Sequence, residues 1–364
     1  MRTSLKLAAV LALVVASASV PSAARLVAPA TGPSLTSIGP LAFGPEGTLF
    51  AADRQAATIF ALDLGTQASS GTPGTKDVPG IDQKIAAMVG TAAAEIAITD
   101  IAVHPKSRNT FVSVMRGQGA AAQPAMFRVD GAGKIDPVSF EPITFTSVTL
   151  PNPPAAAATG RNSRASSVTD MALVNGRLIV AGLSNEEFAS KLWSVPYPFA
   201  TADRGASVEI YHGNHAAVET RSPVMAFVPY TIDNQPHVVA GYTCTPLVKF
   251  PVAGLKTGEK LVGTTIAEFG SGNQPLDMFV YQKDGKDYIL MSNSRRGVMK
   301  IATAPFGAAQ AITTPVREGT AGVPFETVAS MTGIDQMDLL DAQRTIVIAR
   351  AQDGTRNLTA VILP

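Results

Sequence analysis

The sequence predicts an all-β chain folded as a six-bladed β-propeller with short helical insertions, and three observations carry that expectation. A unit of apolar strand, Pro/Gly turn, second apolar strand and polar exit, clearest in Gly39 to Asp53, returns along the chain, each time with a third strand after it. Anchored at Pro40, Asp100, Asp170, Val224, Asp277 and Asp335, the copies lie 60, 70, 54, 53 and 58 residues apart. Three or four strands at that period make blades, because no single blade can bury both of its faces alone. The composition agrees: 31 Gly and 26 Pro in 364 residues, with only 16% charged, suit short strands and many turns and exclude a disordered or coiled-coil chain. The sixth copy is the least regular, so five or seven blades stay open, and a two-sheet sandwich is the plainer alternative.

In chain order, residues 1–24 read as a secretory signal peptide. Arg2 and Lys6 precede the apolar run Leu7 to Ala16, and Ser22-Ala23-Ala24 offers small residues for cleavage. The run is too short for a comfortable membrane span. Residues 25–364 then form one propeller domain, expected to be secreted or periplasmic. Removing the signal takes the formal charge from +1 to −1. That balance excludes a nucleic-acid footprint and a polybasic membrane patch.

The first blade continues with Thr58 to Asp63, followed by a Gly/Ser/Thr/Pro loop over 66–79. Ile81, Ile85, Met88, Val89 and Ile96 among alanines have helical spacing, which predicts one or two short helices over 80–97. Blade two is read from Thr99 to Gly131. Blade three runs from Thr169 to Val195, with Asn175-Gly176 as a tight-hairpin signal. Blades four, five and six follow over Val224–Phe250, Leu276–Ile301 and Ile334–Val361. Ser184-Asn185-Glu186-Glu187 has a capping-box pattern, which predicts a short helix over 185–192. With the 80–97 helix it would form a lid on the channel mouth.

The run Leu41 to Asp53 and the ending Phe127-Arg128-Val129-Asp130-Gly131 resemble six-bladed propellers of the NHL-repeat and gluconolactonase/strictosidine-synthase-like kind. The resemblance covers most of the mature chain through a generic blade pattern, and it implies fold more than activity. Regucalcin-like gluconolactonases place a metal-binding glutamate at the first-blade strand start. Here Gly39-Pro40 stands there, and the strictosidine-synthase catalytic glutamate has no identifiable counterpart. The resemblance therefore does not carry lactone hydrolysis to this chain.

The propeller resemblance also implies that innermost-strand starts and second-strand exits share one rim. The starts bring Asp100, Asp170, Asp277 and Asp335. The exits bring Asp53, Arg54, Arg116, Asn185, Cys244, Asn293, Arg295 and Arg350. Converging carboxylates need a cation, an arginine or a proton. Asp100, Asp170 and Asp277, with Asn185 or Asn293, are the expected ligands if the cation is calcium. The plainer reading makes each Asp a turn residue that accepts backbone N–H bonds from the next blade's loop. The arginines suit structural ion pairs or bidentate capture of an anionic ligand. Tyr211-His212-Gly213-Asn214-His215 with Glu219 offers two imidazoles and a carboxylate for zinc or copper, or else a hydrogen-bonded loop. Cys244 is the single cysteine, so no intramolecular disulfide forms, and a buried thiol is its plain reading.

The function expected first is a binding module that takes a polar small molecule or a protein partner at the channel mouth. A metal-assisted hydrolase or lactonase on the aspartates is the alternative. A redox protein on the histidine loop ranks third.

Overall fold

Strand pairing in a computed structural model, which describes residues 32–157, 163–244, 246–317 and 319–364, forms six separate sheets arranged as a ring, antiparallel throughout except where Lys260–Val262 runs parallel to Ala206–His212. The expected signal peptide lies outside the described residues. No helix among them is long and apolar enough to cross a membrane.

The innermost strands are Leu41–Phe43, Ile96–Val103, Asp170–Val174, Val224–Ile232, Pro275–Lys283 and Ile334–Leu339. Each pairs with a second strand that is largely buried, such as Leu49–Asp53 or Arg177–Leu183. Such strands are buried on both faces because a blade is covered by a neighbour on each side. Tight hairpins join the first two strands. At Asn175-Gly176, φ is +48° and +74°, and at Asp284-Gly285 it is +52° and +72°. Two consecutive residues of positive φ match the strand twist, which explains the Asn-Gly and Asp-Gly pairs.

Six apolar clusters lie at the junctions between blades, and they show that the ring does not follow the chain. Blade one packs on blade two through Leu41, Phe60, Phe111 and Met126. It packs on blade three through Phe50, Ile59, Leu178 and Trp193. Blades three to six then succeed one another. Blade six closes not on blade one but on blade two, through Ile101, Val112, Ile346 and Leu358. The spatial order is two, one, three, four, five, six.

Two chain crossings accompany this transposition. After blade two ends at Ile135–Pro137, the chain returns and lays Thr144–Thr149 along Thr58–Asp63 as the outer strand of blade one. The segment between blades one and two reaches across to blade six. There Val78 and Leu358 exchange backbone hydrogen bonds of 2.8 and 3.1 Å. Asp77 accepts the Ala360 N–H, and Asn357 accepts the Gly80 N–H, each at 2.8 Å. The ring is thus shut by a mid-chain segment on the C-terminal blade.

The helix expected over 80–97 is present as α1 (Ile81–Met88), followed by one 3-10 turn. Ile81 and Ile85 insert between blades two and six. None of its residues lines the central channel, so it is a wedge and not a lid. The helix expected over 185–192 does not form. Residues 185–188 bend, Ser184 Oγ accepts the Glu186 N–H at 3.2 Å, and the third strand of blade three begins at Ser190. Strand pairing of Ser190–Pro196 outweighs the local capping signal.

Candidate functional site

The channel runs along the ring axis, and four carboxylates stand in its wall: Asp100, Asp170, Asp277 and Asp338. Each makes the same pair of bonds. One oxygen accepts the N–H of the following residue, Ile101, Met171, Met278 or Leu339, at 2.7–2.8 Å. The other accepts an N–H from the innermost strand of the next blade. Leu41 donates to Asp100 and Phe227 to Asp170 at 2.6 Å, and Met337 donates to Asp277 and Val103 to Asp338 at 2.7 Å. These links join blades two to one, three to four, five to six and six to two, all in one rotational sense.

Parallel innermost strands leave ladder N–H groups facing the channel, and a buried N–H without an acceptor is costly. The aspartates supply those acceptors, and the donors are innermost-strand residues, not the next blade's loop that the plainer reading expected. Both oxygens of each carboxylate thus carry one backbone hydrogen bond. They still stand in a confined space. Burial raises all four pKa values, Asp170 to about 7 and Asp338 to about 6. Asp100 and Asp277 rise well above the ordinary range, first from burial, with repulsion from the neighbouring channel carboxylates adding to it.

Two of the anchors shift. Bulges in the innermost strands place Ala226 and Gln336, rather than Val224 and Asp335, at the level of Asp100 and Asp277. Asp335 sits outside the channel in an ion-pair cluster with Arg350 (2.6 Å) and Arg356 (2.8 Å). Asp338, which the repeat reading passed over, takes the clasp role two residues further along.

The mouth on the face where the innermost strands begin is a cavity of about 290 Å³. Asp100, Asp170 and Asp277 form its floor, and Arg54, Thr99, Gln274 and Gln336 stand around it. Arg54 lies across Gly39, where an added Cβ would come within 2.6 Å of the Arg54 Nε. Blade one therefore replaces the aspartate of its neighbours with Gly39-Pro40, and the space goes to a guanidinium. No carboxylate among the described residues lies within ion-pair distance of Arg54. Burial lowers its pKa, and the charge of Asp100 acts in the opposite direction. At the opposite mouth stands Arg108, whose charge lowers the pKa of Asp338.

The other expected rim residues divide. Asp53 is fully enclosed and accepts bonds from Thr36, Ser37 and Ala56, fixing the lead-in to blade one. Asn293 is likewise internal, bonded through Nδ2 to Asn273 and through Oδ1 to the Arg295 and Arg296 N–H groups. Cys244 is buried, with φ +62°. Arg116, Asn185 and Arg295 are exposed and away from the cavity lining.

The histidine loop is drawn together. His212 ends the fourth strand of blade three (Ala206–His212), and Ala217–Glu219 turns back along it as the outermost strand. His212 Nδ1 lies 3.1 Å and His215 Nδ1 2.5 Å from the Glu219 carboxylate. Glu268, from the outer strand of blade four, stands behind His212. Sequence spacing shows the first three residues, whereas Glu268 arrives only through the packing of two blades.

No family model matches the chain, and no curated protein sequence matches it. Solved structures do. The PQQ-bound aldose sugar dehydrogenase of Streptomyces coelicolor is 12% identical, over 92% of this chain and 99% of that one, with a TM-score of 0.33. Hydrazine synthase of Kuenenia stuttgartiensis is 11% identical over 95% and 99%, with a TM-score of 0.38. The Cps50 (Swd1) β-propeller domain of Myceliophteria thermophila is 10% identical over 90% and 84%, with a TM-score of 0.37. Likeness at this level says nothing of activity, and the six-bladed ring stands on the strand pairing above. The resemblance to NHL-repeat and gluconolactonase-like propellers stays one of blade pattern.

Proposed function

We propose that this chain is an exported propeller that binds a polar small molecule at the Arg54 mouth of its channel. The observation that carries the reading is Arg54 itself. A half-buried guanidinium without an ion-pair partner among the described residues is set beside carboxylates whose oxygens are already bonded to backbone. Its planar donors suit a ligand carboxylate or another oxyanion. Thr99, Gln274 and Gln336 supply neutral polar groups for the rest of the molecule. Export follows from the charged, apolar and small-residue succession at the N-terminus.

The test is a thermal-shift screen of the mature chain against sugars, sugar acids and amino acids, repeated on Arg54→Met. A rise in melting temperature with an anionic member, absent in the variant, supports the reading. A flat screen, or an undiminished rise in Arg54→Met, counts against it.

A further inference from the structure

We propose that His212, His215 and Glu219 bind one divalent first-row transition metal, of the zinc class, at the outer junction of blades three and four. One ligand atom from each of these side chains can be chosen so that all three lie within 4.8 Å of one another. The hairpin sets this up. His212 pairs with Ala217 and Ile210 with Glu219, so His212 and Glu219 are diagonal neighbours on one face of the ladder. A single 3-10 turn over Gly213–His215, with Ala216 in the left-handed region at φ +53°, swings His215 back over the pair. The two imidazole rings lie 3.7 Å apart. Both Nδ1 atoms face the same carboxylate.

A second, independent observation points to a ligand. His212 is 0% exposed, and neither of its ring nitrogens has a hydrogen-bond partner among the described residues. Its Nδ1 stands 3.1 Å from the Glu219 carboxylate as an ion-pair contact. Leaving buried polar atoms unbonded is costly, and a metal on Nδ1 removes that cost. The opposite nitrogen, Nε2, lies 3.9 Å from Glu268 Oε2. Glu268 is held in place by the Gly213 N–H (2.5 Å) and Asn214 Nδ2 (2.8 Å). At 3.9 Å the Nε2 to Glu268 contact is beyond hydrogen-bond length without a metal, but ligation through Nδ1 puts the ring proton on Nε2, facing the kind of outer carboxylate that metal sites recurrently carry.

Two imidazoles and one carboxylate form a donor set of the zinc and copper(II) type, and not of the calcium or magnesium type. Three protein ligands, with His215 partly exposed to solvent, leave a further coordination position accessible. This site lies apart from the channel mouth and does not depend on what binds there.

The test uses the mature chain, stripped with chelator and titrated with Co(II) followed by visible absorption, then back-titrated with Zn(II). The expected result is one equivalent of Co(II) per chain, displaced by one of Zn(II). Binding should fall by about 100-fold or more in both His215→Ala and Glu219→Gln. Glu268→Gln should weaken it by roughly 10- to 100-fold, the range for an outer carboxylate. Circular dichroism verifies the fold of each variant. Should one of the two ligand variants not fold, the other carries the test. Absence of a stoichiometric cobalt spectrum, or equal binding in the wild type and the folded ligand variants, overturns the proposal and leaves an ion-paired loop.

Discussion

The Asp170 carboxylate accepts the Phe227 backbone N–H at 2.6 Å and so ties blade three to blade four across the channel wall. The same link recurs at three other junctions, which gives the inner ring of the propeller a polar frame inside its apolar one. Asp170→Ala leaves the Phe227 and Met171 N–H groups without their acceptor. The expected loss is about 1–3 kcal/mol, measured by urea unfolding, with no change of fold by circular dichroism. No measurable loss would mean that water replaces the carboxylate at full value.

The same carboxylates set a pH dependence. The folded pKa values of Asp170 and Asp338, about 7 and about 6, lie above the ordinary carboxylate range. Between about pH 4 and 7 the folded state therefore holds more protons than the unfolded chain, and stability falls as pH rises through that window. Above about pH 7 this contribution is constant. Denaturant midpoints from pH 4 to 8 should show the slope, and Asp170→Asn should flatten it.

Ring closure depends on Val78 and Leu358. Val78→Pro removes the N–H that bonds the Leu358 carbonyl and should cost about 1–3 kcal/mol. Hydrogen exchange should show the loss first in Arg356–Ile362, the outer strand of blade six. Unchanged protection there would place the closure elsewhere.

Lys191 is 1% exposed at its side chain and lies 2.7 Å from Glu186 and 2.9 Å from Ser207 Oγ. Glu186→Gln leaves a buried ammonium without its counter-charge, whereas Lys191→Met removes the charge itself. The first should cost about 2–3 kcal/mol and the second much less, as is usual for buried pairs. Chemical denaturation of both variants makes the comparison, and a reversed order would show that the charge is well hydrated.

Most of the blade pattern is legible in the sequence because strand alternation and turn residues are local properties. Asn175-Gly176 marks its hairpin directly, and Gly39 to Asp53 gives two strands of blade one. The transposed ring order is not legible in this way. It depends on which faces of blades one, two and six match, and on Thr144–Thr149 choosing Thr58–Asp63 as partner. At the site, three aspartates were readable from the repeat. Asp338 was not, because the bulge between Ile334 and Gln336 slides the register and makes Asp335 look equivalent. The absence of an aspartate at Gly39-Pro40 was visible, but its reason, room for Arg54, is a matter of packing. Ser184 and Glu187 mimic a helix start that strand pairing overrides.

If Arg54 receives the ligand at the channel mouth, Gly39→Ala should weaken binding without altering any charge. The added methyl group meets Arg54 and displaces it from over the cavity. Isothermal titration with the anionic compound that gives the largest thermal shift is the direct measurement. Affinity should fall about 10-fold or more in Gly39→Ala and in Arg54→Met alike, with both variants folded. Wild-type affinity in either folded variant would contradict it.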